Sequence, residues 1–186
     1  MNFNKHSSVE GRHAFLGASN YHWVNYDEEK LVRSYTTAMA KQRGTELHEL
    51  AQRLIKMQVR LPDIQETLNM YVNDAIDFGM TPEQILFYSP TAFGTADAIS
   101  FRDGRLRIHD LKTGRTKSSM LQPEIYSALF CLEYDVNPRD IFIELRIYQS
   151  NRIQSMLPEA DDIFHIMDKI VTFDRLIEEI RMEDES

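Results

Sequence analysis

The dipeptide Asp103-Gly104 constrains this 186-residue chain more than any other local feature. It joins two arms of alternating polarity, GTADAISFR before it and RLRIHDLKTG after it. A two-residue connection of this kind needs positive φ at its central positions, which Asp-Gly tolerates, so the stretch predicts a tight antiparallel β-hairpin. The turn sets the register: Phe101 opposes Leu106, Ile99 opposes Ile108, and Asp97 opposes Asp110. Side chains alternate between the two faces of a strand. One face then gathers Ile99, Phe101, Leu106 and Ile108, and with them Asp97, Asp110 and Lys112. The other face of the second arm holds Arg105, Arg107 and His109, a set expected to meet solvent.

Charges on an apolar face need a reason, because burying an unpaired ion costs several kcal/mol. Two carboxylates directly opposed across a hairpin also repel. Two arrangements relieve this. Lys112 can neutralise one acid in a plain salt bridge, with no chemistry attached. Alternatively a hard divalent cation such as Mg²⁺ or Mn²⁺ can take oxygen ligands from both acids. The hairpin by itself leaves both open.

The rest of the chain supplies a frame. "TELHELAQRLIKM" has Leu47, Leu50, Ala51, Leu54 and Ile55 at helical spacing, with Thr45 as the expected cap. "IQETLNMYVNDAIDF" repeats the period, and Gly79 ends it. "QILFYS" reads as a strand bounded by Pro82 and Pro90. After the hairpin come a helix in "SSMLQPEIYSALFCLEY", a strand in "DIFIELRIYQ" and a long amphipathic helix at about 158–182. The last helix has Ile163, Ile166, Met167, Ile170, Phe173, Leu176 and Ile177 on one side. Residues 1–43 read as a packed N-terminal arm, and 44–150 as the core of a single domain. The predicted order is helix, helix, three strands, helix, strand, helix: an α/β architecture with helices against a mixed central sheet.

Charge is unevenly spread over the net −8. Ten acids and three bases lie between Glu159 and Glu185, whereas Arg102 to Lys117 holds six bases and two acids. The hairpin region is therefore locally basic. No apolar run approaches the roughly 18–20 residues of a membrane span. The N-terminal MNFNKHSSVEGRHAF lacks the apolar core of a secretory signal, so a cytoplasmic protein is expected. The one cysteine, Cys131, sits in ALFCLEY and reads as a buried small hydrophobe; it cannot support a four-thiolate iron–sulfur cluster.

Four short patterns occur in order: G-T-x-x-H at 44–48, G-x-x-D at 94–97, D-x-K at 110–112 and Q-x-x-x-Y at 122–126. Together they resemble the PD-(D/E)XK nuclease superfamily, in its RecB-like and phage exonuclease branch. The likeness spans residues 44 to about 149, element order included. It implies a restriction-endonuclease-like sheet and Mg²⁺- or Mn²⁺-dependent hydrolysis of DNA, with one or two ions. By position it implies that His48, Asp97, Asp110 and the backbone carbonyl of Leu111 bind metal. Lys112 would orient the attacking water, and Gln122 and Tyr126 would position that lysine and a phosphate. No Pro-Asp precedes the first acid, a departure common in this branch. The resemblance points to an exonuclease of linear DNA in recombination or end processing. An endonuclease, or a non-catalytic DNA-binding module on the same fold, are the alternatives. Arg102, Arg105, Arg107, Arg115 and Lys117, with Lys41 and Arg43, are the expected contacts to the DNA backbone. A single-strand annealing protein and further copies of this chain are the partners the resemblance suggests.

Overall fold

A computed structural model describes residues 5, 7–11 and 13–184. The chain divides into two compact units, Met1–Arg43 and Gly44–Ser186. In the first, a 3-10 segment (Ala18–Asn25) is held by Trp23, whose Nε1 donates to the Gly17 carbonyl at 3.0 Å. Phe15 meets Tyr35 edge to face at 5.1 Å. Helix α1 (Glu28–Lys56) starts there, capped by Asp27, whose Oδ1 accepts the Lys30 backbone N–H at 2.7 Å. Thr45 therefore lies inside a continuous helix rather than at its start. The true start signal is Asp27 followed by Glu28 and Glu29 in the first turn, which suit the positive end of the helix dipole.

The second unit is built on a five-stranded sheet in the order β1-β2-β3-β4-β5. The strands are β1 (Thr81–Ser89), β2 (Ala92–Arg102), β3 (Arg105–Lys112), β4 (Phe142–Gln149) and β5 (Arg152–Met156). Neighbours are antiparallel except β3 and β4, which are parallel and joined through helix α3 (Leu121–Glu133). Helices α2 (Thr67–Asp77) and α4 (Ala160–Asp184) complete the unit. The fold is thus α/β, a mixed sheet flanked by helices. The hairpin register is as expected, with Phe101 opposite Leu106 and Ile99 opposite Ile108, and Asp103 and Gly104 have φ of 51° and 69°.

Two cores sandwich the sheet. On one face Leu106, Ile108, Leu145 and Ile147 pack with Tyr126, Ala128, Leu129 and Phe130 of α3 and Ile163 of α4. On the other, Leu111 and Tyr148 pack with Ala51 and Ile55 of α1 and Tyr71, Val72 and Ala75 of α2. Cys131 is buried as expected, and burial pushes its thiol up to about 12.

This two-sided cover overturns the expectation that His109 faces solvent. His109 is fully buried. The Tyr148 hydroxyl donates to Asp74 Oδ2 at 2.6 Å and lies 3.2 Å from His109 Nδ1, which puts the ring proton on Nδ1. Burial, with Arg146 and Arg107 nearby, holds the imidazole down at about 3. Arg107 is also engaged, donating to Glu144 at 3.0 Å and stacking over Phe78 at 4.5 Å. The face is polar in sequence yet covered in the fold, because its charges are paired beneath α2.

Two further differences concern the C-terminal third. Strand β5 lies outside the expected order of elements. Ser150 and Asn151, with φ of 51° and 59°, form a second two-residue hairpin turn. RIQSM lacks a buried alternation, so periodicity could not announce it. In α4 the apolar stripe is covered only at its start. Ile163 is buried and Ile166, Met167 and Ile170 partly so, while Phe173, Leu176 and Ile177 are exposed.

Candidate functional site

The β2–β3 ladder runs from Arg102 opposite Arg105 to Ala98 opposite His109 and ends there. One step further would oppose Asp97 and Asp110. Instead Asp97 enters the fork between the strands, and its Oδ2 accepts the Leu111 backbone N–H at 2.8 Å. A carboxylate thus replaces the ladder bond at the end of β3. Its other oxygen, Oδ1, is 3.5 Å from Nδ1 of His48 on α1. The His48 imidazole titrates above its ordinary value, chiefly through the Asp97 hydrogen bond, with burial opposing and the Leu111 backbone assisting.

Glu83, which the sequence patterns did not single out, joins this pair. Ligand atoms of His48, Glu83 and Asp97 all lie within 4.8 Å of one another. Glu83 stands near the start of β1 with φ of 53°, a left-handed conformation uncommon outside glycine. Burial raises its carboxyl above the usual range, and the charge of Asp97 raises it further. A glutamate directly after Pro82 carries no periodic signal; its unusual φ is visible only in three dimensions. Tyr71 of α2 is buried within reach of these charges. Burial and the charges of Asp97, Glu83 and Asp110 push its phenol well above its ordinary value.

Asp110 stands outside that compact trio, which is one difference from the expected ligand set. It is buried, and its carboxyl is raised by burial first and by Asp97 second. Lys112 Nζ lies 3.0 Å from Oδ1 and 2.9 Å from Oδ2. The hydrogen bond goes to Oδ1; Oδ2, although close to the ammonium, is sealed from water without one. Lys112 also donates to Gln122 Oε1 at 2.8 Å, and Gln122 Nε2 donates to the Tyr126 hydroxyl at 2.8 Å. The i, i+4 spacing on α3 makes that last bond possible. Asp110, Lys112, Gln122 and Tyr126 are therefore one connected chain.

Two glycines of the sequence patterns are explained by close approach. A Cβ on Gly94 would stand 2.9 Å from the Tyr126 ring, so glycine lets that ring lie against β2. A Cβ on Gly44 would stand 2.9 Å from Thr113 Oγ1, just beyond Lys112.

The site's donor set fits a divalent cation. One imidazole and the carboxylates of Glu83 and Asp97 converge, and the carboxyls of Glu83 and Asp110 are both raised by burial and by the charge of Asp97. Oxygen ligands with a single imidazole suit Mg²⁺ or Mn²⁺. The site lies at the C-terminal end of β3, beside its parallel partner β4, where open α/β sheets commonly bind ligands.

The expected DNA contacts divide into two groups. Arg102 and Arg105 flank the hairpin turn, at the end of β3 remote from Lys112. Arg102 donates to the Gly79 carbonyl at 3.1 Å; Arg105 pairs with Glu144 at 4.0 Å and stacks over Phe142 at 4.5 Å. They are tied into the fold rather than set beside the acids. Arg115 and Lys117 follow Lys112 directly and are exposed.

No protein-family model and no curated protein matches the chain. A solved structure titled "Crystal structure of SSO0001" aligns with 82% of this chain and 68% of its own, at 12% identity and a TM-score of 0.38. Likeness at that level fixes neither fold family nor function. Among the described residues, no helix is long and apolar enough to cross a membrane.

Proposed function

We propose that this chain is a Mg²⁺- or Mn²⁺-dependent DNA nuclease of the PD-(D/E)XK kind, acting as an exonuclease on linear DNA. One observation carries the reading: the Asp110–Lys112–Gln122–Tyr126 chain of contacts lies beside the His48–Asp97 pair. Neutralising the buried Asp110 would by itself be a structural role for Lys112, but the further contacts to Gln122 and Tyr126 and the convergence of His48, Glu83 and Asp97 are more than that pairing requires.

His48, Glu83, Asp97 and Asp110 are the residues that would hold the cation. When bound, the ion supplies Lewis-acid activation of water and offsets the charge of the scissile phosphate. Lys112 presents its remaining ammonium hydrogen to a nonbridging phosphate oxygen, where negative charge grows in the transition state. Asp110 and Gln122 fix its direction, each taking one of its hydrogens. Tyr126 fixes the Gln122 amide in turn. The reaction is hydrolysis of a phosphodiester. The water oxygen bonds to phosphorus, the bond to one sugar oxygen breaks, and that oxygen takes a proton.

The test is digestion of linear and covalently closed circular DNA with Mg²⁺, Mn²⁺ or EDTA. Linear DNA is degraded with metal, circles survive, and Asp110→Ala and Lys112→Ala abolish the activity. Intact DNA under every metal rejects the nuclease reading, and cleaved circles replace exonuclease with endonuclease.

A further inference from the structure

The loop after Lys112 and the unexpected strand β5 make a second, cationic feature. A cavity of about 540 Å³ is lined by Arg115, Lys117, Arg152, Gln149, Ile153 and Gln154, among others. None of the three cations has an ion pair among the described residues, in contrast to Arg105 and Arg107, which pair with Glu144, and to Arg102, which is held by the Gly79 carbonyl.

The cavity is built rather than accidental. Gln149 Nε2 donates to the carbonyls of Gly114 and Thr116 at 2.6 and 2.8 Å, and its Oε1 accepts the Ser118 N–H at 3.2 Å. These three bonds pin the loop that carries Arg115 and Lys117 onto the end of β4. The register places the feature next to the candidate site. Lys112 partners Gln149 across β3 and β4, and Gln149 partners Arg152 across β4 and β5. Lys112, Gln149 and Arg152 thus form one row on one face of the sheet. Adjacent strands are about 4.8 Å apart, so Arg152 starts roughly 10 Å from Lys112.

We propose that this cavity binds the backbone of a single DNA strand leading to or from Lys112, with phosphates on Arg115, Lys117 and Arg152. A groove lined by unpaired cations is what tracks the backbone of a single strand independently of sequence. Rigid paired arginines around the hairpin turn are not free to release counterions in the same way. The proposal rests on the nuclease reading only for its choice of DNA as ligand.

The experiment is fluorescence anisotropy of a labelled twelve-nucleotide single strand with the full chain in EDTA, where no cleavage interferes, across a salt series. Arg152→Ala, Arg115→Ala and Lys117→Ala are each expected to weaken binding several-fold and to lower the salt slope by about 0.7 for each phosphate no longer neutralised. Arg139→Ala, which removes an exposed arginine paired with Asp161, is expected to leave both unchanged. The proposal is overturned if the wild-type chain does not bind the strand, if the three variants bind like wild type, or if Arg139→Ala weakens binding equally. Equal affinity and variant sensitivity for a blunt duplex overturns its single-strand assignment. The two readings separate cleanly. Binding with this pattern in a protein that cuts nothing sinks the nuclease, whereas full cleavage with insensitive variants sinks the groove.

Discussion

The carboxylate of Asp97 touches two elements at once: Oδ2 takes the Leu111 N–H at 2.8 Å and Oδ1 faces His48 Nδ1 at 3.5 Å. One acid thereby closes the strand fork and meets the imidazole of His48 on α1.

If that constellation is a cation site, metal stabilises the fold. Manganese at a hundred times its Kd adds about 2.7 kcal/mol, which is roughly 5–10 °C in Tm for a chain of this size. Asp97→Ala removes the shift. Glu83→Gln keeps the fold and lowers manganese affinity by about ten- to a hundredfold. Calorimetric titration and thermal melts check both. Equal affinities in wild type and Glu83→Gln would remove Glu83 from the site.

The relay to Tyr126 gives a second expectation. Tyr126→Phe deletes the acceptor for Gln122 Nε2 and leaves Gln122, one of the two groups that aim Lys112, without its anchor. Removing a hydrogen bond of this kind amounts to about 1–1.5 kcal/mol, or roughly tenfold in kcat, with KM for linear DNA unchanged. A change in KM with kcat preserved would make the tyrosine a binding residue instead.

The two glycines separate sterically. Gly94→Ala drives a methyl into an aromatic ring wedged between α3 and β2, so activity and stability fall together. Gly44→Ala meets only the Thr113 hydroxyl, on a short side chain. In the background Thr113→Ala that obstacle is gone, and Gly44→Ala is expected to stabilise by about 1 kcal/mol through helix propensity. Denaturant melts of the four proteins decide it.

Acid should expose His109. Its folded imidazole titrates at about 3, against about 6.5 when unfolded. Between those values the unfolded chain binds the extra proton, so stability falls as pH drops from about 6.5 toward 3, at up to about 1.4 kcal/mol per pH unit. His109→Gln flattens that part of the profile, at the cost of some packing. Urea melts from pH 7 to pH 4 show whether it does.

Much of this was legible in the chain. Asp103-Gly104 fixed the hairpin, and the 3.6-residue period located α2, α3 and α4. The chemistry-bearing residues on the hairpin and α3 could be read because strand alternation and helical spacing put them on shared faces. What escaped had physical causes. Glu83 is presented by an unusual φ rather than by periodicity. His109 and Arg107 look solvated until α2 covers them. β5 is exposed almost throughout and has no buried alternation to betray it. α1 continues through Gly44 because strong helix formers flank it on both sides, outweighing one glycine.

His109 and Asp110 are consecutive, yet one is sealed as a neutral ring beneath α2 and the other is directed toward Lys112. Strand β3 therefore works as a partition whose two sides are told apart by parity alone. Adding or deleting a single residue between the Asp103-Gly104 turn and Lys112 would exchange the compartments, delivering an imidazole to the lysine's side and a carboxylate to the seal beneath α2. The length of this short segment should consequently be the least negotiable dimension of the molecule, far more so than the identity of most side chains along it.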